Sequence, residues 1–142
     1  MTTPTLPNRI PKAPILDEKV AFTRTLTEAD TALFIGVTWD VNPLHTDDNY
    51  VSETRFKRHI VPGLLTASML THLGGLWAFL ATEIRFEFIG PVYIGDTITA
   101  ESKIVEVDKK RGWVRLRCRC TNSQGDEVLR AEIKGYPGQH EQ

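Results

Sequence analysis

An excess of charge of either sign is almost missing from this chain: 17 Lys and Arg stand against 18 Asp and Glu, a formal net charge of −1. A nucleic-acid-binding domain normally carries a clear basic excess, so that class is set aside. The longest basic cluster, Lys109-Lys110-Arg111, runs into Gly112 and Trp113 and reads as a solvated turn between strands. Cysteine is scarce too, two in 142 residues. A chain of this length can bury a core of its own, so neither a disulfide nor a structural metal is required. Cys118 and Cys120 lie in an alternating run with Val114 and Leu116, and in an extended chain all four point to one face. They read as buried thiols in a reducing compartment, and one Cys-x-Cys pair without a second makes a poor zinc site. Long hydrophobic runs are also missing. The longest largely apolar stretch, residues 63–81, is interrupted by Thr66, Ser68, Thr71 and His72, which is too polar for a membrane span. The first sixteen residues carry Pro4, Pro7, Pro11 and Pro14 and no apolar segment, so no secretory leader is expected and the protein is placed in the cytoplasm. There are no internal repeats.

What is present is one domain, residues 17–142, behind a Pro-rich arm at residues 1–16. Residues 19–25 suit a short strand. Thr27 followed by Asp30 three residues later marks a helix start, with Glu28 favourable to the helix dipole, and the helix runs to about Val37 with Leu33, Phe34 and Val37 on one side. Residues 39–47 are too rich in loop formers to be helix or strand, and Pro43 holds Asn42 extended. Asp47 or Asp48 can cap a short helix reaching about Glu53. Residues 63 to about 80 form a helix apolar nearly all round, which belongs inside a domain, and Gly74-Gly75 weaken it or stop it early. From Thr82 the period becomes two: Ile84, Phe86 and Phe88 alternate with Glu83, Arg85 and Glu87, and strands follow at 97–107, 113–121 and 127–135. The class is α+β, an antiparallel sheet of about five strands wrapped round one long central helix.

The chemistry-bearing stretch is Asp40-Val41-Asn42-Pro43-Leu44-His45. It resembles the hydratase motif of the MaoC-like dehydratases and R-specific enoyl-CoA hydratases, Gly-Asp-x-Asn-Pro-x-His-x-Asp. The resemblance extends over residues 20–135: Phe34 and Thr38 before the motif, Phe56 and Arg58 after it, Ile60 to Leu65 opening the central helix, and Pro91 to Asp96 as a turn. It implies a single hot-dog domain and a lyase acting on 2-enoyl or 3-hydroxyacyl thioesters in fatty acid metabolism. It also implies Asp40 and His45 as the catalytic pair, Asn42 steadying the loop, and Thr71 supplying a hydroxyl beside the pair. Gly63 then supports the site, Trp39, Pro62 and Leu64 line the substrate pocket, and a backbone N–H near the start of the Glu83 strand meets the thioester oxygen. Lys57, Arg58 and Arg85 are candidates for the phosphates of CoA or a carrier. The resemblance further implies a homodimer with a continuous sheet and sites at the subunit interface. No metal or redox cofactor is expected, because the substrate brings its own CoA or phosphopantetheine.

The residue types fit that chemistry. Hydrating an enoyl thioester requires a group that takes a proton from water and one that delivers a proton to the α carbon, and a carboxylate and an imidazole sharing one water can do both. Bland roles compete at each position: an Asp and a His five apart are commonly loop polar groups, Thr71 can bond back to its own helix, His72 can be structural, and His59 beside Arg58 can be solvated or touch a CoA phosphate. His45, Asp47 and Asp48 are too few and too common to indicate a metal. A hot-dog thioesterase is one alternative, disfavoured because residues 63–80 contain no Asp or Glu. A non-catalytic acyl-binding subunit of a heteromeric dehydratase is another, disfavoured because a binding pocket alone has no use for Asp40, Asn42 and His45 together. Two departures from the family pattern stand out. Pro62-Gly63 replaces His-Gly, harmless because proline suits a first helical turn. Trp39 replaces the Gly before Asp40, and is expected to narrow the pocket, raise the Asp40 pKa or stack on a bulky acyl group.

Overall fold

The computed structural model describes residues 13–138, so the proline-rich arm lies almost wholly outside the described residues. The elements are β1 (Lys19–Thr25), α1 (Glu28–Thr38), α2 (Pro43–Thr46), α3 (Asp48–Ser52), α4 (Gly63–Gly75), β2 (Leu80–Phe88), β3 (Thr97–Val107), β4 (Val114–Thr121) and β5 (Glu127–Tyr136). At the start of α1 the expected capping box forms: the Thr27 hydroxyl accepts from the Asp30 N–H, and the Asp30 carboxylate accepts from the Thr27 N–H. Asp47 caps α3 by accepting from the Tyr50 N–H.

The strands form one antiparallel sheet in the order β1-β3-β4-β5-β2. Period-two alternation gives it two different faces. On the inner face, Ala100 pairs with Cys120 and Cys120 with Leu129, while Ile104, Leu116 and Ile133 form a second row. All of these are buried and pack with Leu65, Met69, Leu70 and Leu73 of α4. Each large aliphatic side chain buried this way contributes about 1.5–3 kcal/mol. On the outer face the register sets Lys103, Arg117, Glu132 and Arg85 in one row and Glu101, Arg119, Arg130 and Glu87 in the next. That face is a lattice of opposite charges. Among the described residues no helix is long and apolar enough to cross a membrane.

Four expectations need correction. Residues 43–46 form a short helix where a loop was expected, because Asn42 accepts from the Leu44 N–H as N-cap and Pro43 occupies the first helical position. The central helix ends not near residue 80 but at Gly75, the early stop that Gly74-Gly75 allowed; Ala78 takes φ 47° and turns the chain into β2. It is also covered on one side only: Leu64, Ser68, Thr71 and Gly75 form an exposed stripe at helical spacing. Finally, Leu33 and Val37 are exposed, and of the expected apolar side of α1 only Phe34 turns to the core. Strand β2 lies at the sheet edge, where even its inner-face residues Ile84 and Phe88 remain half-exposed.

The two cysteines behave as expected, free and buried. Burial pushes the Cys118 thiol up to about 11, partly offset by the Ser102 hydroxyl 3.1 Å away, and pushes Cys120 up to about 12, with Cys118 adding to the effect. Both should ignore a thiol reagent in the native state and react at the unfolding midpoint. A thiol free of the fold titrates near 9.0, so the native chain retains protons that the unfolded chain has released. Stability should therefore hold below pH 9.0 and fall as pH rises toward about 12, measurable by denaturant titration.

Candidate active site

The site begins where α1 ends. Trp39 has φ 59°, a left-handed conformation in which its N–H bonds the Ile35 carbonyl at 2.8 Å and closes the helix. This conformation costs a residue with a Cβ about 1–2 kcal/mol, which accounts for glycine in the family pattern. The Trp39 side chain is 83% exposed and lines no part of the cavity described below, so its expected pocket role does not hold within one chain. The turn then aims Asp40. The Thr38 hydroxyl donates to the Phe34 carbonyl at 2.8 Å and accepts from the Asp40 N–H at 3.2 Å. Asp40 Oδ1 accepts from the Asn42 N–H at 3.3 Å, and Asp40 Oδ2 faces His45. Asn42 itself caps α2, whose third residue is His45.

His45 is held by one short hydrogen bond, Nδ1 to the Ile60 carbonyl at 2.6 Å. A carbonyl only accepts, so Nδ1 carries the proton and Nε2 of the neutral ring keeps its lone pair. That nitrogen lies 3.9 Å from Asp40 Oδ2. The distance is too long for a direct hydrogen bond, and it lets one water-sized oxygen bond both groups. The His45 side chain is 7% exposed and that of Asp40 44% exposed. The pair therefore has a buried member and a wet one.

Both groups line a cavity of about 450 Å³, within the range of small-molecule sites, with walls formed by Phe34, Leu44, Val61, Pro62, Leu64, Phe88, Val92 and Leu129 among others. Three features of α4 shape it. A Cβ on Gly63 would sit 2.7 Å from the Phe88 ring, so only glycine allows this approach. Pro62 offers no side-chain cap to the helix, and the Gly63 and Leu64 N–H groups have no partner among the described residues. They stand at the positive end of the helix dipole, beside the pair. Thr66 is 3% exposed, lines the cavity, and its hydroxyl has no hydrogen-bond partner among the described residues. A buried hydroxyl left without a partner costs about 1–3 kcal/mol, so Thr66 offers the cavity a donor and acceptor. Sequence reading passed over Thr66 and Phe88. A signal for Thr66 is its place as the first hydroxyl of α4, about one turn after Gly63.

The other expected residues divide. Pro62, Gly63 and Leu64 line the cavity. Thr71 does not: it is exposed on the open stripe of α4 and donates to the Ser68 carbonyl at 2.6 Å. Within one chain the start of the Glu83 strand does not reach the cavity either; only Phe88 of β2 does. Arg58 stacks over Tyr93 at 4.1 Å in a groove that shares Gly90, Pro91 and Val128 with the cavity. Lys57 is exposed and reaches the Ser52 carbonyl at 3.4 Å. Arg85 pairs with Glu87 at 3.3 Å on the outer face of the sheet and lines a separate groove. His72 stacks on Phe22, ring centroids 4.3 Å apart, a structural role. His59 is neither solvated nor free: it pairs with Asp48.

Known proteins resemble this chain in sequence and in fold. The family model described as a MaoC like domain matches residues 11–122. An (R)-specific enoyl-CoA hydratase of Rhodospirillum rubrum is 32% identical over 120 residues, covering 81% of this chain and 82% of that protein. A mitochondrial 3-hydroxyacyl-[acyl-carrier-protein] dehydratase of Solanum lycopersicum is 31% identical over 116 residues, 77% of this chain and 68% of that one. Among solved structures, an (R)-hydratase from Aeromonas caviae involved in PHA biosynthesis superposes with a TM-score of 0.84 at 25% identity, covering 89% of this chain and 99% of that one. The sheet cradling one helix is thus the hot-dog fold. On the match over residues 11–122 and the identity to these relatives, the chain belongs to the MaoC-like domain family.

Proposed function

We propose that this chain is a lyase that hydrates 2-enoyl thioesters to 3-hydroxyacyl thioesters and catalyses the reverse dehydration, with Asp40 and His45 as its acid–base pair. One observation carries the assignment of the pair: the lone pair of neutral His45 Nε2 and a carboxylate oxygen of Asp40 converge 3.9 Å apart on the wall of an apolar cavity. Water held between them loses a proton to Nε2 as its oxygen bonds the β carbon. The π electrons move to the thioester oxygen, and the proton returns from the pair to the α carbon. The Asp40 carboxylate stabilises the transient imidazolium. The developing enolate oxygen takes the free N–H groups of Gly63 and Leu64, where the helix dipole favours negative charge. The chemistry needs no cofactor beyond the carrier on the substrate. The named activities of the relatives support both CoA and acyl-carrier thioesters as the substrate class.

The protein acts as a homodimer in this reading. β2 is an uncovered edge strand, and beside it lies the exposed α4 stripe of Leu64, Ser68, Thr71 and Gly75. A second copy pairing edge to edge covers both at once and closes the open side of the fold.

The assay is loss of the conjugated enoyl-thioester absorbance. Wild type is expected to hydrate short enoyl thioesters without releasing free thiol. Asp40→Asn and His45→Gln should each lower kcat/KM by about 10²–10⁴. Thiol release in place of hydration, or full activity in both variants, would remove the reading. The Thr66 hydroxyl bonds the bound substrate, so Thr66→Val should raise thermal stability of the free protein by about 1 kcal/mol while raising KM severalfold. Unfolding scans and a substrate titration measure both.

A further inference from the structure

Two loops that meet at the site exchange hydrogen bonds in a reciprocal pattern. The His45 ring donates to the carbonyl of Ile60, at 2.6 Å. The residue before Ile60 is His59, and its Nδ1 lies 3.2 Å from the carbonyl of Leu44, the residue before His45. The Ile60 N–H adds a third link to the same Leu44 carbonyl at 3.4 Å. Each histidine thus binds the backbone of the segment that carries the other. The far nitrogen of His59, Nε2, lies 2.5 Å from Asp48 Oδ1, at the first residue of α3. Both ring nitrogens of His59 face acceptors, a carbonyl and a carboxylate, and a ring protonated on both nitrogens satisfies both. His59 is half-buried, its side chain 22% exposed, and it does not line the cavity.

We infer that His59 is a positioning residue for His45: clamped by Asp48, it fixes the Leu44 carbonyl and with it the Ile60 carbonyl that sets the His45 tautomer. The inference rests on the catalytic reading of His45 and extends it. The chain of cause is short. If His59 loses its donors, the 44–45 and 59–60 segments are joined only by the long Ile60 N–H link and by the His45 bond itself. The Leu44–His45 segment then shifts against Ile60, which its bridge to Tyr93 still holds, the Nδ1 proton is no longer fixed, and the alternative tautomer places a proton on the nitrogen that must accept one. An ångström-scale displacement of a catalytic group lowers turnover by about ten- to a hundredfold. Substrate affinity stays, because the cavity wall excludes His59.

The test compares wild type with His59→Phe, His59→Asn and Asp48→Ala, reading kcat and KM separately and the ¹⁵N shifts of the His45 ring. His59→Phe keeps the ring shape without donors; it should lower kcat by about tenfold or more, leave KM within about twofold, and show a His45 tautomer mixture. His59→Asn retains a donor near the Nδ1 position and should recover most of the lost turnover with the wild-type shifts. Should His59→Phe not fold, Asp48→Ala decides by the same readings, since the Asp48 side chain is 93% exposed and its removal spares the core. Wild-type kcat together with an unchanged His45 tautomer in the first folded variant of that pair overturns the inference. The ¹⁵N reading stands apart from activity: an inactive wild type with a His59-dependent tautomer would sink the catalytic reading and leave the clamp in place.

Discussion

The hydrogen bond from His45 Nδ1 to the Ile60 carbonyl governs the rest of the site. It decides which nitrogen carries the proton, and it joins the loop after α1 to the loop before α4. Everything the site can do as a base follows from that placement. Were the ring turned over, Nε2 would bond a backbone carbonyl and the free nitrogen would look elsewhere. Because the acceptor is a backbone carbonyl, no change of protonation can remove it.

Around that bond the fold supplies two things side chains alone cannot. One is a helix terminus without a side-chain cap, whose dipole and N–H groups at Gly63 and Leu64 stand at the cavity wall. The other is a dry wall, built where the inner face of β5 and the end of β2 meet the start of α4. Gly63 permits the two to touch, since any larger residue would displace Phe88. Thr66 adds to that apolar wall a hydroxyl without a partner among the described residues.

Much of this was legible from residue order alone. The strand alternation that buries Val114, Leu116, Cys118 and Cys120 is a local, period-two signal, and the sheet obeys it. The cap of Thr27 on Asp30 is likewise local. The loop Asp40 to His45 stood out through its resemblance to the hydratase motif, while the Asn42 cap that makes residues 43–46 helical was not read from it. What stayed hidden depends on distance through space. Nothing near His59 in the chain reveals that Asp48 waits eleven residues away. Trp39 adjoins Asp40 in sequence, yet with its left-handed φ it is exposed and lies off the cavity within one chain. Thr71, which the resemblance implied beside the pair, lies five residues beyond Thr66, more than a turn, and faces the open side of α4.

The central claim is that a carboxylate and an imidazole act together on one water from one wall of the cavity. Hydration of an enoyl thioester in D₂O tests it most directly, with the configuration of the new deuterium read by NMR against the new hydroxyl. Delivery from a shared pair puts the deuteron and the hydroxyl on the same face of the former double bond. Addition to opposite faces would require a second proton donor across the cavity and would contradict the claim.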